Sequence, residues 1–144
     1  MTEVEFHTRV ADPLAYACRL LRKAYRAGVP VLVIAPTSTL AALDRALWTF
    51  EEREFVPHVR QPGAAATLAA RSPIWLAPHA GLPGAPAVLV NMGADAPADL
   101  DGVQRLIEIV AGDADEAERG RSRWKAYKAR GLQIVHRPSG TGAG

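Results

Sequence analysis

The feature that most constrains the fold is an unbroken apolar run at residues 31–35, which stands between two prolines. The run is Val-Leu-Val-Ile-Ala, and its β-branched residues favour a strand over a helix. A strand with one face in water alternates apolar and polar residues, whereas this segment offers no polar face. We therefore expect a strand that is covered on both faces, as strands of parallel sheets are.

The segment before this run predicts a strand followed by a helix. Residues 4–10 show partial apolar alternation. Asp12 and Pro13 are suited to the N-cap and the first position of a helix, and Gly28 followed by Pro30 would end it. The apolar residues that recur here at helical spacing are Leu14, Ala17, Cys18, Leu21, Ala24 and Tyr25.

The segment after the run predicts a second helix, with Thr37 or Ser38 as its N-cap. Its apolar stripe consists of Leu40, Leu43 and Leu47. The order strand, helix, strand, helix is typical of an α/β protein with a doubly wound, mostly parallel sheet flanked by helices.

The rest of the chain predicts one long loop followed by further strands and one long helix. Periodicity fails at residues 50–71, which we interpret as the loop. The later elements are predicted as strands at 74–77, 87–92, 103–110 and 132–135 and a helix at 113–130. We expect a single domain at residues 1–136 and a flexible C-terminal tail at 137–144, because the tail has almost nothing to bury.

Composition and charge argue against several classes of protein. The chain has 144 residues, 49% of them hydrophobic, which is enough for one domain with its own core. It has no apolar run long enough to span a membrane, and its N-terminus lacks the pattern of a signal peptide. We therefore expect a cytoplasmic protein with no membrane partner. The formal net charge of +2 is small for a dedicated nucleic-acid-binding protein.

The sequence motifs of nucleotide, metal and catalytic sites are missing. The turn after the first strand has no glycine, and neither GxxxxGK(S/T) nor GxGxxG occurs. No GxSxG motif is present. The possible metal ligands of the histidine and cysteine types are His7, His58, His79, His136 and Cys18. They are scattered along the chain, so no local spacing matches a metal site. We therefore predict no cofactor, no metal and no catalytic residue.

Aromatic residues are concentrated in residues 43–58, LDRALWTFEEREFVPH, at the expected end of the second helix. The residues that crowd this segment are Trp48, Phe50, Phe55, Val56 and Pro57. An extended Phe-Val-Pro segment cannot bury all three side chains on one face, and exposed aromatic patches tend to mark interfaces. An apolar helix of another protein is a plausible ligand. Alternatively, these side chains pack inward and close the edge of the sheet.

Basic residues align in the sequence RSRWKAYK, residues 121–128. On a helix, Arg121, Lys125 and Lys128 share one stripe, and Trp124 lies on its adjoining flank. Arg123 and Arg130 are expected on the opposite side. The stripe suits a ligand that combines carboxylates with an aromatic end, such as an acidic peptide with a free C-terminus. A nucleic-acid strand would also fit, and so would a solvated face whose bases complement the helix dipole.

Together, LDRALWTFEEREFVPH and RSRWKAYKARG closely resemble the motifs of the chi subunit of bacterial DNA polymerase III, and the resemblance extends from Val4 to Val135. It implies a Rossmann-like fold that binds no nucleotide. It also implies that a segment of the psi subunit of the clamp loader binds at one site and the acidic, Phe-terminated tail of single-stranded-DNA-binding protein at another. The residues implied are Trp48, Phe55, Val56, Pro57 and His58 for psi, and Arg121, Trp124, Lys125 and Lys128 for the tail.

One position departs from this pattern: Ala117 stands where some relatives carry another lysine on the basic stripe, which suggests weaker binding of the tail. The resemblance predicts a non-catalytic adaptor that contacts DNA only indirectly, and a helicase could compete for the psi site. Two alternatives stay open. One is a module that binds single-stranded nucleic acid directly, and the other is a nucleotide-dependent enzyme built on the doubly wound sheet.

Overall fold

A computed structural model describes residues 2–49 and 55–138 of the chain. Within these residues the strands are β1 (Glu3–Val10), β2 (Val31–Ile34), β3 (His58–Arg60), β4 (Ile74–Ala77), β5 (Val88–Asn91), β6 (Arg105–Ala111) and β7 (Ile134–Pro138). The helices are α1 (Pro13–Arg26), α2 (Thr37–Thr49), α3 (Ala66–Arg71) and α4 (Ala114–Ala129).

The seven strands form one sheet in the order β3-β4-β2-β5-β6-β1-β7. Every pairing in it is parallel, so the predicted α/β architecture is confirmed. The chain leaves β1 for β2 in one direction, whereas it leaves β6 for β7 in the other. This reversal makes the sheet doubly wound and places the carboxyl ends of β1 and β6 at a topological switch point.

Helices cover both faces of the sheet and create two hydrophobic layers. The layer with α1 and α2 contains Leu21, Leu43 and Val33. The layer with α4 contains Phe6 and Tyr127. As predicted, β2 is buried on both faces along its whole length, because apolar side chains cover it from both layers.

The interpretation of residues 50–71 as one long loop is wrong. The described part of this segment contains β3 and α3, and β3 pairs with β4 from His58 to Arg60. A strand of three residues and an alanine-rich helix of six residues are too short to show a hydrophobic period.

Two predicted boundaries also move. Helix α2 already begins at Thr37, and its first bond joins the Leu40 amide to the Pro36 carbonyl, so Pro36 occupies the position predicted for Thr37 or Ser38. Strand β7 continues to Pro138, two residues into the predicted tail, because Arg137 and Pro138 pair with β1. Residues 139–144 lie outside the described part of the chain.

Among the described residues, no helix combines the length and the apolar character needed to cross a bilayer.

Candidate functional site

Helix α4 carries the predicted basic stripe, and both of its ends are capped. The side chain of Asp113 accepts a hydrogen bond from the Glu116 amide at 3.2 Å. Gly131 follows the helix with φ +80°, a conformation that glycine adopts without strain. The helix therefore spans the predicted segment from Asp113 to Arg130 within one residue at each end.

The buried face of α4 carries polar groups and fixes how the helix is rotated. Arg123 Nε donates to Glu108 Oε1 at 2.8 Å, and the Tyr127 hydroxyl donates to Glu108 Oε2 at 2.6 Å. Arg123 lies on the side of α4 opposite the exposed stripe of Arg121, Lys125 and Lys128, as predicted, and that side faces the sheet. Arg123 is buried, and Arg130 donates to the carbonyls of residues 97 and 98 because the loop before β6 passes beside the helix C-terminus.

A pocket of about 420 Å³ lies between α4 and the carboxyl ends of β1 and β6; we call it the α4 pocket. Its wall on α4 is formed by Ala117, Gly120, Arg121 and Trp124, which are spaced i, i+3, i+4 and i+7. The rest of its lining consists of Phe6, Thr8, Arg9, Val110, Ala111, Gly112 and His136. Arg121 and Trp124, two of the predicted tail-binding residues, thus lie in the wall of one cavity.

Aromatic rings form one side of the α4 pocket. The Trp124 ring lies 4.9 Å from the Phe6 ring and 5.7 Å from the His136 ring, measured between centroids. His136 is held by Thr8, since the distance from Nε2 to the Thr8 hydroxyl oxygen is 2.6 Å. Trp124 is half-buried, so its ring offers an apolar surface beside the guanidinium-bearing Arg121.

The other two predicted tail-binding residues, Lys125 and Lys128, are exposed on α4 and do not line the α4 pocket. By helical spacing, Lys125 follows Arg121 by one turn, and Lys128 follows Trp124 by one turn. Both lysines are therefore solvent-exposed next to the pocket wall on α4.

Gly120 permits the close approach of α4 to the sheet. A Cβ atom at this position would lie 2.9 Å from Cγ1 of Val110, closer than such atoms pack. A larger residue would push the helix away from β6 and change the shape of the α4 pocket, since Gly120 and Val110 both line it.

The second predicted surface is the aromatic surface, which we define as Trp48 and Phe55. Trp48 is 65% exposed and Phe55 is 44% exposed, although both are large and hydrophobic. Their rings stack with centroids 4.7 Å apart. The alternative in which these aromatic residues close the sheet edge from inside does not describe this pair. Phe50 lies outside the described residues.

Val56 and the side chain of His58, predicted to contact the same partner, are buried instead. Val56 is 2% exposed and belongs to the core layer of α1 and α2. His58 Nε2 lies 2.7 Å from Asp44 Oδ1, and its Nδ1 lies 2.8 Å from the Val56 carbonyl oxygen. Both residues therefore support the aromatic surface from below, while Pro57 is half-buried between them.

The aromatic surface and the α4 pocket lie toward opposite edges of the sheet. Trp48 and Phe55 stand beside His58 of β3, which is one edge strand. The α4 pocket lies next to β1 and β7 at the other edge and on the other face. The two surfaces are therefore separated by the width of the sheet.

With this geometry established, comparison with known proteins gives the family. The model of the DNA polymerase III chi subunit, HolC, matches residues 1–135. The chain belongs to the DNA polymerase III chi subunit family. The curated chi subunit of Pseudomonas aeruginosa is 31% identical to it over 143 residues, which cover 93% of this chain and 94% of that protein. Chi is an accessory, non-catalytic subunit of the polymerase, so the chain has a replisome accessory role.

A structural likeness outside the chi family supports the fold alone. The C-terminal domain of S. cerevisiae Dbp5, in a structure bound to Gle1 and IP6, superposes with a TM-score of 0.59. The match covers 96% of this chain and 90% of that one, at 13% sequence identity.

In this chi-family chain, the cleft where doubly wound proteins usually bind ligands has no glycine-rich turn that could cradle phosphate. A cavity of about 470 Å³ lies there, at the carboxyl edge of the sheet near the N-termini of α1, α2 and α4. Pro13 has no amide hydrogen, and Asp12 already accepts the Ala15 amide at 3.1 Å. The carboxylate of Glu116 also lines the cleft, where it pairs with the guanidinium of Arg119 at 2.6 Å. The prediction that no nucleotide binds stays a prediction, and this chemistry supports it.

Proposed function

We propose that this chi-family chain is a protein adaptor that joins the clamp loader, through psi or an equivalent subunit, to the acidic C-terminal tail of single-stranded-DNA-binding protein. The observation that carries the proposal is the α4 pocket, in which the cation of Arg121 adjoins an aromatic wall of Trp124 and Phe6. A peptide that ends in phenylalanine offers the matching pair of groups, a ring and a free carboxylate.

The dimensions and charges around the α4 pocket support this ligand. A cavity of about 420 Å³ is large enough to take one aromatic side chain. Arg121 would bind the terminal carboxylate, while Lys125 and Lys128 would attract the acidic residues upstream of it. Since these cations are exposed, we expect a dissociation constant on the order of micromolar that rises with salt.

The aromatic surface supports the other half of the proposal. Trp48 and Phe55 present a stacked, exposed apolar patch, the kind of patch that anchors an apolar helix of a partner. The segment of psi is our proposed partner, and a helicase that uses the same patch would compete with it.

Separation of the two surfaces supports an adaptor rather than a switch between partners. If both partners bind at once, the clamp loader is held near template coated with single-stranded-DNA-binding protein, and its local concentration there rises without new chemistry. The proposed complex forms in the cytoplasm, and its contact with DNA is indirect.

The test is calorimetric titration of the wild-type protein with a short aspartate-rich peptide that ends in phenylalanine with a free carboxylate. We expect binding that weakens at least about tenfold when the phenylalanine is replaced by alanine, since the ring would leave the aromatic wall. Failure of the phenylalanine-ended peptide to bind, or equal affinity for both peptides, would reject the proposal.

Direct binding of a single-stranded nucleic acid is the second candidate, favoured by the adjacency of Trp124 and the basic stripe. The α4 pocket argues against it, because a single cavity holds one group whereas a strand needs a continuous track. Titration with a single-stranded oligonucleotide decides between them: binding tighter than that of the peptide would favour this second function.

A further inference from the structure

Arg9 has an unusual backbone at the rim of the α4 pocket. Its φ is +58°, and no other non-glycine residue among those described has a positive φ. The pairing of β1 with β6 is irregular at the same place, between His7 and Val10. Left-handed backbone is unfavourable for a residue with a Cβ atom, so glycine would fit this position better.

Strain of this kind persists where a side chain is needed, and bulges in strands often redirect a side chain toward a site. Arg9 is exposed and lines the α4 pocket. Within the described part of the chain its guanidinium has no hydrogen bond or ion pair. Arg9 therefore places a cation, unpaired within the described residues, at the rim of the α4 pocket, although its backbone conformation is unfavourable for arginine.

The wall of the α4 pocket that is formed by α4 has only one cation. Arg121 supplies it, because Ala117 and Gly120 are small and Trp124 is neutral. Arg9 comes from the strand side and lines the same cavity. From these placements we infer that Arg9 is a second anion-binding residue of the α4 pocket and pairs with a carboxylate of the ligand.

This inference rests on the proposed function, since it concerns the acidic tail bound in the same pocket. It adds that the cationic part of the site is split between β1 and α4. A carboxylate at the pocket would then lie between two guanidinium groups, and charge-assisted hydrogen bonds would form from both sides.

The test uses three variants and the same phenylalanine-ended acidic peptide. In Arg9→Gln the length of the side chain is kept and the charge is lost, so we expect affinity to fall about threefold to tenfold at low salt. Arg9→Lys should retain most of the affinity. Arg9→Gly should weaken binding as Arg9→Gln does, while its melting temperature stays equal to that of the wild type or rises, because glycine relieves the left-handed backbone.

Arg60→Gln is the matched control, because Arg60 is exposed on β3, away from the pocket, and its loss changes the net charge equally. We expect it to bind like the wild type. A second peptide, with asparagine for aspartate and an amidated C-terminus, should bind Arg9→Gln and wild type equally.

The outcomes separate the two proposals. Wild-type affinity of Arg9→Gln, together with peptide binding that depends on Arg121, would overturn the role of Arg9 and leave the proposed function in place. If Arg9→Gln also bound the uncharged peptide more weakly than the wild type does, the role of Arg9 would again be overturned. Arg9 would then act through the structure and not through its charge. Absence of peptide binding by the wild type would overturn the proposed function and, with it, this inference.

Discussion

Arg123 of α4 and Glu108 of β6 form a buried ion pair, with 2.8 Å between Nε and Oε1. Burial raises the pKa of the Glu108 carboxyl, while the Arg123 guanidinium and the hydrogen bond from Tyr127 act in the opposite direction. The pair fixes the rotation of α4 about its axis, since Arg123 can face the sheet only where Glu108 meets it. That rotation turns Arg121 and Trp124 toward the α4 pocket.

Replacement of Arg123 by methionine should lower the free energy of unfolding by about 3 kcal/mol, because the Glu108 carboxyl loses its buried partner. We expect the double variant Glu108→Gln, Arg123→Met to be less destabilised than the sum of the two single variants. Urea denaturation of all four proteins measures this coupling. Additive effects would show that the ion pair does not act as a unit.

The destabilisation caused by Arg123→Met should also depend on pH. Without the guanidinium, the pKa of Glu108 in the folded protein lies further above 4.5, so the folded state holds a proton that the unfolded state releases. The loss of stability relative to wild type should therefore be smallest near pH 4.5 and grow as pH rises above it. A destabilisation that is constant with pH would contradict this account.

Acid should weaken the fold through Glu5. Burial alone would raise the pKa of this carboxyl, but hydrogen bonds from Arg105, Arg137 and His7 outweigh it and lower the pKa from 4.5 to about 2. The stabilisation is present above pH 4.5 and is lost as pH falls toward 2. We expect Glu5 to contribute about 1–2 kcal/mol to the free energy of unfolding, since the two arginines are exposed and water screens their charge.

Thermal unfolding of Glu5→Gln between pH 5 and 2 measures this contribution, and the variant should lose less stability over that range than the wild type does. Glu3→Gln is the matched control, because Glu3 is an exposed residue of the same strand. If Glu3→Gln and Glu5→Gln have the same pH profile, the ion pairs of Glu5 are not responsible.

Trp48→Arg should abolish capture of psi, or of the clamp-loader subunit that takes its place, because a charge replaces the most exposed ring of the aromatic surface. Its melting temperature and its affinity for the acidic peptide should stay close to those of the wild type. Leu68→Arg is the control, since Leu68 is 57% exposed on α3 and has no proposed partner. Recovery of the partner by Trp48→Arg at the wild-type level would remove Trp48 from the interface.

The central part of the fold was predictable because its signals are local. Each of β2, β4 and β6 is a continuous apolar or nearly apolar run, and the predicted strand at 103–110 is confirmed as β6. Segments β3 and α3 gave no such signal, since a few residues cannot display a period. The extension of β7 to Pro138 depends on pairing with β1, which is distant in sequence.

The site was only partly predictable, because helical spacing relates residues to each other but does not say which face is buried. Arg121 and Trp124 were found in this way, whereas the burial of Arg123 against the sheet was not predicted. Glu108 was an available signal: a lone carboxylate within the apolar strand β6 needs a buried cation. Phe6 and Arg9 carried no signal, because they reach the α4 pocket only through the packing of β1 beside β6.

Arg121→Glu gives the most direct test of the tail-binding site. The substitution replaces the one cation on the α4 wall of the pocket with a carboxylate that repels the ligand, so calorimetric affinity for the acidic peptide should fall at least about tenfold. Folding should be unaffected, because Arg121 is exposed and forms no ion pair within residues 2–49 and 55–138. Arg71→Glu makes the same charge reversal on α3 and should bind normally. Equal losses in both variants would mean that net charge, and not the α4 pocket, governs the affinity.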